Sequence, residues 1–467
     1  MHRLVVVSNR VGPVRGANLA GGLAVALVDA LSESHGLWFG WSGNTVVSGP
    51  NPVKLREVAG ITQALIDLTH EDHQDYYNGF ANRCLWPLFH FRLDLASFHQ
   101  RYLDAYRRVN ALFAQALHPL LRSTDLVWVH DYHLFAMGAE LRALGTRQRL
   151  GFFLHTPFPP RDLLMTLPHH HWLVRCLFDY DLVGFQTEAD LQRFCDYVVK
   201  EAGGRVHGGC VTAHGRDLQV GAFPVGIDAE QFARMAREGS QEHECRRLRE
   251  GLRGRTQIVG VDRLDYSKGL LRRMEAYEVM LERFPDAHEQ VEFLQIAPIS
   301  RGELDDYREF RIELEQTAAH INGRYARLDW TPVRYLNRAL PRRTLAWLYR
   351  ASRVGVVTPV RDGMNLVAKE YVAAQDAADP GVLVLSRFAG AARQLTDALL
   401  VNPFDPEETA DALNRARTMP RSERRRRHER LMRCLRQYDA RRWRDEFVAA
   451  LAEGPPRTRR IRRPRAK

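Results

Sequence analysis

Along the chain, short runs of Val, Leu, Ile and Phe alternate with longer stretches whose apolar residues return at helical spacing. Apolar runs without polar alternation suit strands buried on both faces, and their alternation with helices predicts parallel α/β sheets. In the first half the expected strands are Leu4 to Val7, Leu126 to Val129, Gly151 to Leu154 and Leu182 to Phe185. In the second half they are Ile258 to Val261, Phe293 to Ala297, Val354 to Thr358, Val382 to Leu385 and Leu399 to Val401. Each set suffices for its own sheet. Between them, Phe223 to Asp228 leads into the charged stretch Glu238 to Arg255, where strand signals vanish, which puts a domain junction near residue 230. The expected division is a first domain over 1–230 and a second over 231–454. Beyond Pro406 the pattern is helical, and Trp443, Phe447, Val448 and Leu451 form an apolar stripe expected among the second domain's terminal helices.

Composition narrows the class. With 467 residues, 45% of them hydrophobic and 26% charged, the chain has the material for two large cores and the charge of a soluble globular protein. The net charge of +11 is concentrated at the end: Arg457, Arg459, Arg460, Arg462, Arg463, Arg465 and Lys467 leave about +4 for the rest. Residues 455–467 therefore read as a basic disordered tail, and a nucleic-acid partner is not expected from that tail alone. Cys84, Cys176, Cys195, Cys210, Cys245 and Cys434 lie far apart with no Cys-x-x-Cys pair, which fits reduced thiols in the cytoplasm. No 18-residue apolar run and no signal-peptide core appear, so no membrane partner is expected. A homo-oligomer is compatible with all of this.

The sequence lacks Gly-x-Gly-x-x-Gly, a Walker phosphate loop, His-Glu-x-x-His and Gly-x-Ser-x-Gly, which disfavours dehydrogenases, P-loop kinases, zinc proteases and serine hydrolases. What remains are polar residues at the carboxyl ends of expected strands, where open α/β sheets place ligands. Arg10 follows the first strand, and Gly21 and Gly22 open a helical pattern whose amino end can receive an anion. Asp131 ends the strand before Tyr132, placed either to accept substrate hydroxyls or to cap a helix. His155 ends another strand ahead of Pro157 and Pro159. His169, His170 and His171 suggest a metal, but neighbours on a helix point about 100° apart, so no metal is expected there. Arg263 and Lys268 on one strand-to-helix loop suit a diphosphate. Gly363 permits close backbone approach, Asn365 can cap a helix facing phosphate, and Glu370 can accept the vicinal hydroxyls of a ribose. Together these loops describe a site for a nucleoside-diphosphate sugar.

From residue 2 to about 452 the sequence resembles the retaining trehalose-6-phosphate synthases of glycosyltransferase family 20. The resemblance rests on Arg3 to Arg10, Leu37 to Gly43, Tyr76 to Trp86, Val129 to His133, Arg263 to Gly269, Ile296 to Arg301 and Thr358 to Gln375. It implies the GT-B fold, with two Rossmann-like domains facing across a cleft. It also implies transfer of glucose from a nucleoside-diphosphate glucose, UDP-glucose foremost with GDP- and ADP-glucose left open, to glucose 6-phosphate. On the acceptor side it implies that Arg10, Tyr77, Trp86 and Arg301 hold glucose 6-phosphate, with Asp131 on its hydroxyls. On the donor side it implies Gly21 and Gly22 near the diphosphate, and Arg263 and Lys268 on the phosphates. Leu366 and Val367 would contribute backbone N–H groups and Glu370 would bind ribose. Leu340 would lie beside the base, and His155 and Asp362 would contact the transferring glucose.

The implied chemistry is front-face transfer with retention, without a side-chain nucleophile and without a metal cofactor. Asp179-Tyr180-Asp181 matches a metal motif of another glycosyltransferase fold, but it precedes a strand rather than ending one and reads as structural. No aspartate-rich phosphatase loop is present, so a second activity that removes the product phosphate is not expected. The competing readings are a sister transferase with another phosphorylated acceptor, of the glucosylglycerol phosphate synthase kind, and a non-catalytic sugar-phosphate sensor. Tyr77 and Trp86 argue against the first, and the presence of Arg263, Lys268, Asp362 and Glu370 against the second.

Overall fold

A computed structural model describes residues 2–14, 27–28, 31–47, 52–240, 243–252, 254–300 and 305–454. The first sheet contains β1 (Leu4–Arg10), β2 (Leu37–Val46), β3 (Lys54–Val58), β4 (Ile61–Thr69), β5 (Leu126–His130), β6 (Arg149–Phe153), β7 (Leu182–Phe185), β8 (Arg205–His207), β9 (Cys210–Ala213) and β10 (Arg216–Ala222). Its order is β3-β4-β2-β1-β5-β6-β7-β10-β9-β8. The strands from β4 to β10 run parallel, while β3, β9 and β8 add antiparallel edges.

The second sheet contains β11 (Thr256–Val261), β12 (Val291–Ile296), β13 (Val333–Leu336), β14 (Val354–Val357), β15 (Val382–Ser386) and β16 (Leu399–Val401). All six are parallel, in the order β13-β12-β11-β14-β15-β16. Numbered within the sheet this is 3-2-1-4-5-6, the doubly wound order whose ligand crevice opens where the winding reverses, between strands one and four. Here those strands are β11 and β14. The first sheet reverses in the same way between β1 and β5.

Strand residues divide between two apolar layers because successive side chains point to opposite faces. Val5 and Val7 join one buried cluster, and Leu4 and Val6 join another on the far side. The second cluster reveals a departure from the expected organisation. Helix Ala440–Glu453, expected among the second domain's terminal helices, packs under the first sheet. Phe447 stacks on Trp128 with ring centroids 4.4 Å apart, and Trp443 lies 4.8 Å from the same ring. Gly151 on β6 and Gly184 on β7 leave room for it, since a Cβ on either would come within 2.8 Å of the Phe447 ring. Complete burial of Phe447 and Leu451 contributes roughly 1.5–3 kcal/mol each.

The chain therefore crosses between the two sheets twice, once near Val225 and once near Tyr438. The crossings touch: a Cβ on Gly226 would lie 2.2 Å from the Tyr438 carbonyl oxygen. From the second domain, buried Lys369 donates through Nζ to the Val225 carbonyl and to Gln394 Oε1, both at 2.6 Å.

Candidate functional site

The carboxyl ends of both sheets meet across the cleft. On the second-domain wall, β11 leads through Arg263 into a tight turn, Tyr266 to Lys268, capped by Asp265 Oδ1, which accepts from the Ser267 N–H at 3.0 Å. Gly269 then turns the chain with φ of 67° into helix Leu270–Arg283, and a Cβ there would collide with the Thr358 carbonyl oxygen at 2.3 Å. Lys268 Nζ donates to Asp362 Oδ2 at 2.6 Å, joining the turn after β11 to the loop after β14. Asn365 donates from Nδ2 to the same oxygen at 3.0 Å. Its Oδ1 accepts from the Ala368 N–H, capping helix Leu366–Ala374 from a backbone with φ of 80°. Helix geometry leaves the Leu366 and Val367 N–H groups without intrahelical acceptors and aimed at the crevice. Leu340, Leu366 and Val367 each pack, partly buried, against the second domain's core.

The charges on this wall are set by opposing effects. Burial works against ionisation of Asp362, but Lys268, with His90 and Asn365, outweighs it and holds the carboxyl below its usual range. Glu370 goes the other way: burial pushes it up to about 7, only partly opposed by Arg342, whose Nη2 stands 3.6 Å away. Beneath the turn, fully buried Arg273 donates to Asp262 Oδ2 at 2.8 Å, to Thr358 Oγ1 and Gln295 Oε1 at 3.0 Å, and to the Lys268 carbonyl at 3.3 Å. One guanidinium thus fixes the ends of β11, β12 and β14 relative to Lys268. Arg273 and Arg342 have no motif of their own in the sequence, because their partners are spread across the fold.

The first-domain wall is built mainly from neutral rings. Asp131 has φ of 75° and ψ of 167°, a conformation rare outside glycine and typical of constrained sites. It does not cap the turn that follows; its Oδ1 accepts from the His155 backbone N–H at 3.2 Å. His155 Nε2 lies 3.0 Å from His130 Nδ1. Burial lowers His155 to about 3, and burial together with His155 lowers His130, so both rings are neutral near pH 7. Tyr77 stacks between His73 and His133 and leans on Trp41, over which Arg10 also sits at 5.7 Å. Trp41 and His133 fall within the motifs noted from sequence, yet their place beside Tyr77 becomes apparent only in three dimensions.

Several contacts join the walls. Trp86, from the first domain, donates from Nε1 to Asp265 Oδ1 at 3.4 Å. The Arg263 guanidinium lies 5.7 Å from the centre of the same indole. Gly363 presses against the backbone of His155, where a Cβ would come within 2.0 Å of its carbonyl oxygen. Arg10, Tyr77, Trp86, Asp131, His155, Arg263, Lys268, Asp362, Asn365 and Glu370 are thus distributed over the two facing walls, while Gly21, Gly22 and Arg301 lie outside the described residues. His170 and His171 are directed at Tyr197, with Nδ1 atoms 2.5 and 3.4 Å from its hydroxyl. Among the described residues no group of three or more His, Cys, Asp or Glu side chains is arranged to hold a metal ion. Asp181 binds Arg142 and the Leu150 N–H, and Asp179 pairs with Arg216.

Two doubly wound sheets facing across a cleft, with cations on one wall and a carboxylate among neutral rings on the other, define a glycosyltransferase of the GT-B class. More narrowly, the chain belongs to glycosyltransferase family 20, whose model matches residues 9–453. A trehalose-6-phosphate synthase from Sinorhizobium fredii is 48% identical over 465 residues, covering 98% of this chain and 100% of that relative. The solved UDP-forming α,α-trehalose-phosphate synthase of Burkholderia xenovorans, in complex with glucose 6-phosphate, matches with a TM-score of 0.94 and 48% identity over 96% of this chain and 100% of its own. An E. coli trehalose-6-phosphate structure bound with UDP-2-fluoro glucose matches with a TM-score of 0.93 and 46% identity, over 97% and 100% of the two chains.

Proposed function

We infer that this protein transfers glucose, with retention of configuration, from UDP-glucose to glucose 6-phosphate, forming α,α-trehalose 6-phosphate and UDP in trehalose biosynthesis. The observation that carries this reading is the meeting of the two walls at Trp86, Asp265 and Arg263, next to the Lys268–Asp362 pair, in a chain nearly half identical to trehalose-6-phosphate synthases over its length. The donor lies on the domain of the second sheet and the acceptor on that of the first. Arg263 and Lys268 take the diphosphate with the Leu366 and Val367 N–H groups, Glu370 the ribose, and Leu340 the edge of the base. Gly21 and Gly22 are assigned to the diphosphate as well. Arg10 and Arg301 take the acceptor phosphate, Tyr77 and Trp86 bound its ring, and Asp131 binds its hydroxyls.

In this scheme the bond from glucose C1 to the diphosphate oxygen breaks while the acceptor hydroxyl attacks C1 from the same face. The hydroxyl proton passes to the departing diphosphate oxygen. Asp362, engaged by Lys268 and Asn365, serves to hold the glucose and to orient the lysine rather than to attack. Neutral His155 offers a hydrogen bond to the sugar without adding charge beside the reacting carbon. Catalysis is then positioning plus stabilisation of the leaving diphosphate by prearranged cations and helix N–H groups. These cations fill the role a metal would otherwise serve. None of the six cysteines forms a disulfide, which fits a cytoplasmic location.

Incubation with UDP-glucose and glucose 6-phosphate tests the assignment. The expected product is a disaccharide phosphate of α,α configuration, formed equally well in EDTA. Hydrolysis of UDP-glucose alone, or equal use of glycerol 3-phosphate as acceptor, would overturn it.

A further inference from the structure

Beside the transfer site lies a second cavity of about 400 Å³ that is also shared by the two domains. The first domain contributes Thr187 and Arg193 near the start of helix Glu188–Glu201, and the second contributes Arg361, Arg387 and Arg393. Of the residues assigned to transfer only Asp362 lines it. Four guanidinium groups gathered around one hollow repel each other, and the carboxylates nearby do not balance them. Asp362 is occupied by Lys268, and Glu408 by Arg387 at 2.5 Å and by the Asn402 N–H. Asp190 accepts from Arg193 Nη1 at 2.9 Å, from Thr187 Oγ1 at 2.5 Å, and from the Phe158 N–H at 3.1 Å.

Arg361 and Arg393 remain. Among the described residues no carboxylate stands within ion-pairing distance of either, and the buried Nε of Arg361 has no hydrogen-bond partner. The Arg361 guanidinium is held between Phe91, at 4.0 Å, and Phe388, at 5.2 Å, so packed rings rather than an acid fix its place. Burial, with Arg193 and Arg393 close by and Asp190 only partly opposing them, lowers it to about 10. A guanidinium fixed in advance without a counter-ion, as Arg361 is, with Arg393 beside it, suits phosphate oxygens, which it can engage in pairs.

We propose that this cavity is an anion site for a small phosphorylated molecule, separate from the donor and acceptor positions. Because the two domains each supply arginine, a bound phosphate favours the domain arrangement seen here over any more open one, by as much as its affinities for the two states differ. Its occupant can thereby influence transfer from beside Asp362.

Calorimetric titration of the full chain with inorganic pyrophosphate tests this, using R263A/K268A to remove the proposed donor diphosphate contacts. Arg393 is exposed on a short turn, so R393E leaves the core intact, and an unchanged melting temperature checks that. Pyrophosphate should still bind R263A/K268A, and adding R393E should weaken that binding about tenfold or more. R193Q in the same background should weaken it from the first-domain side. No pyrophosphate binding to R263A/K268A, or binding there that is indifferent to both R393E and R193Q, would overturn the proposal. The readout needs no turnover, so it stands apart from the choice of donor and acceptor.

Discussion

On the second-domain wall of the cleft, polarity is carried by paired charges: Lys268 with Asp362, Arg273 with Asp262, and Arg342 with Glu370. On the first-domain wall burial keeps His130 and His155 neutral, Tyr77 and Trp86 present ring faces, and Asp131 is tied to backbone. Under the proposed assignment, the contrast follows from what each wall handles. A departing diphosphate gathers charge during reaction, so cations fixed in advance stabilise the transition state more than the ground state. Sugar hydroxyls gather none, and shape with neutral hydrogen bonding suffices to orient them.

The strongest challenge to this contrast is to strip the charged wall. R263A/K268A should lower turnover about 10²–10³-fold or more while leaving the half-saturating glucose 6-phosphate concentration nearly unchanged. Initial-rate kinetics in both substrates checks it, and an effect confined to the acceptor would reverse the assignment of the walls. Next in size is Trp86, which belongs to the neutral wall but touches Asp265 and Arg263 on the other. W86A should raise the acceptor requirement about tenfold, whereas W86F, which keeps a ring and loses the N–H, should recover much of that. Equal loss in both variants would place its contribution in the bond to Asp265 instead.

The smallest effect concerns Glu370. Its carboxyl, raised to about 7, takes up a proton as pH falls through that value, and a neutral acid is the weaker acceptor for ribose hydroxyls. The donor KM of the wild type should therefore rise severalfold on the acid side, and E370Q should flatten the profile. Stability runs the opposite way. A raised folded-state pKa means that the unliganded protein loses stability as pH rises from the ordinary carboxyl value of 4.5 through about 7, and E370Q should abolish that slope in thermal melts.

Much of the fold was legible because parallel strands buried on both faces are continuous apolar runs. Seven strands escaped: β2, β4, β10 and β13 mix Gly, Gln, Asn, Asp or Arg into the run, and β3, β8 and β9 are short antiparallel edge strands. Arg263, Lys268, Asn365 and Glu370 were legible because they follow strands closely and their spacing has chemical meaning. Arg273, Arg342 and His90 were not, since each acquires its place through partners on other elements. The stripe Trp443, Phe447 and Leu451 announced a buried helix face but not what buries it. A signal existed in Gly151 and Gly184, glycines inside strands, which mark close approach by another element.

That last helix also imposes an order on biosynthesis. The face of the first sheet carrying Trp128 and Phe153 is covered by residues 440–453, which are synthesised only after every strand of the second sheet. Although its strands are synthesised early, the amino-terminal half must wait, with an apolar face uncovered, until the whole second half has emerged. The two halves consequently reach their final packing together, and a nascent chain halted before residue 440 is a substrate for chaperones rather than a finished domain.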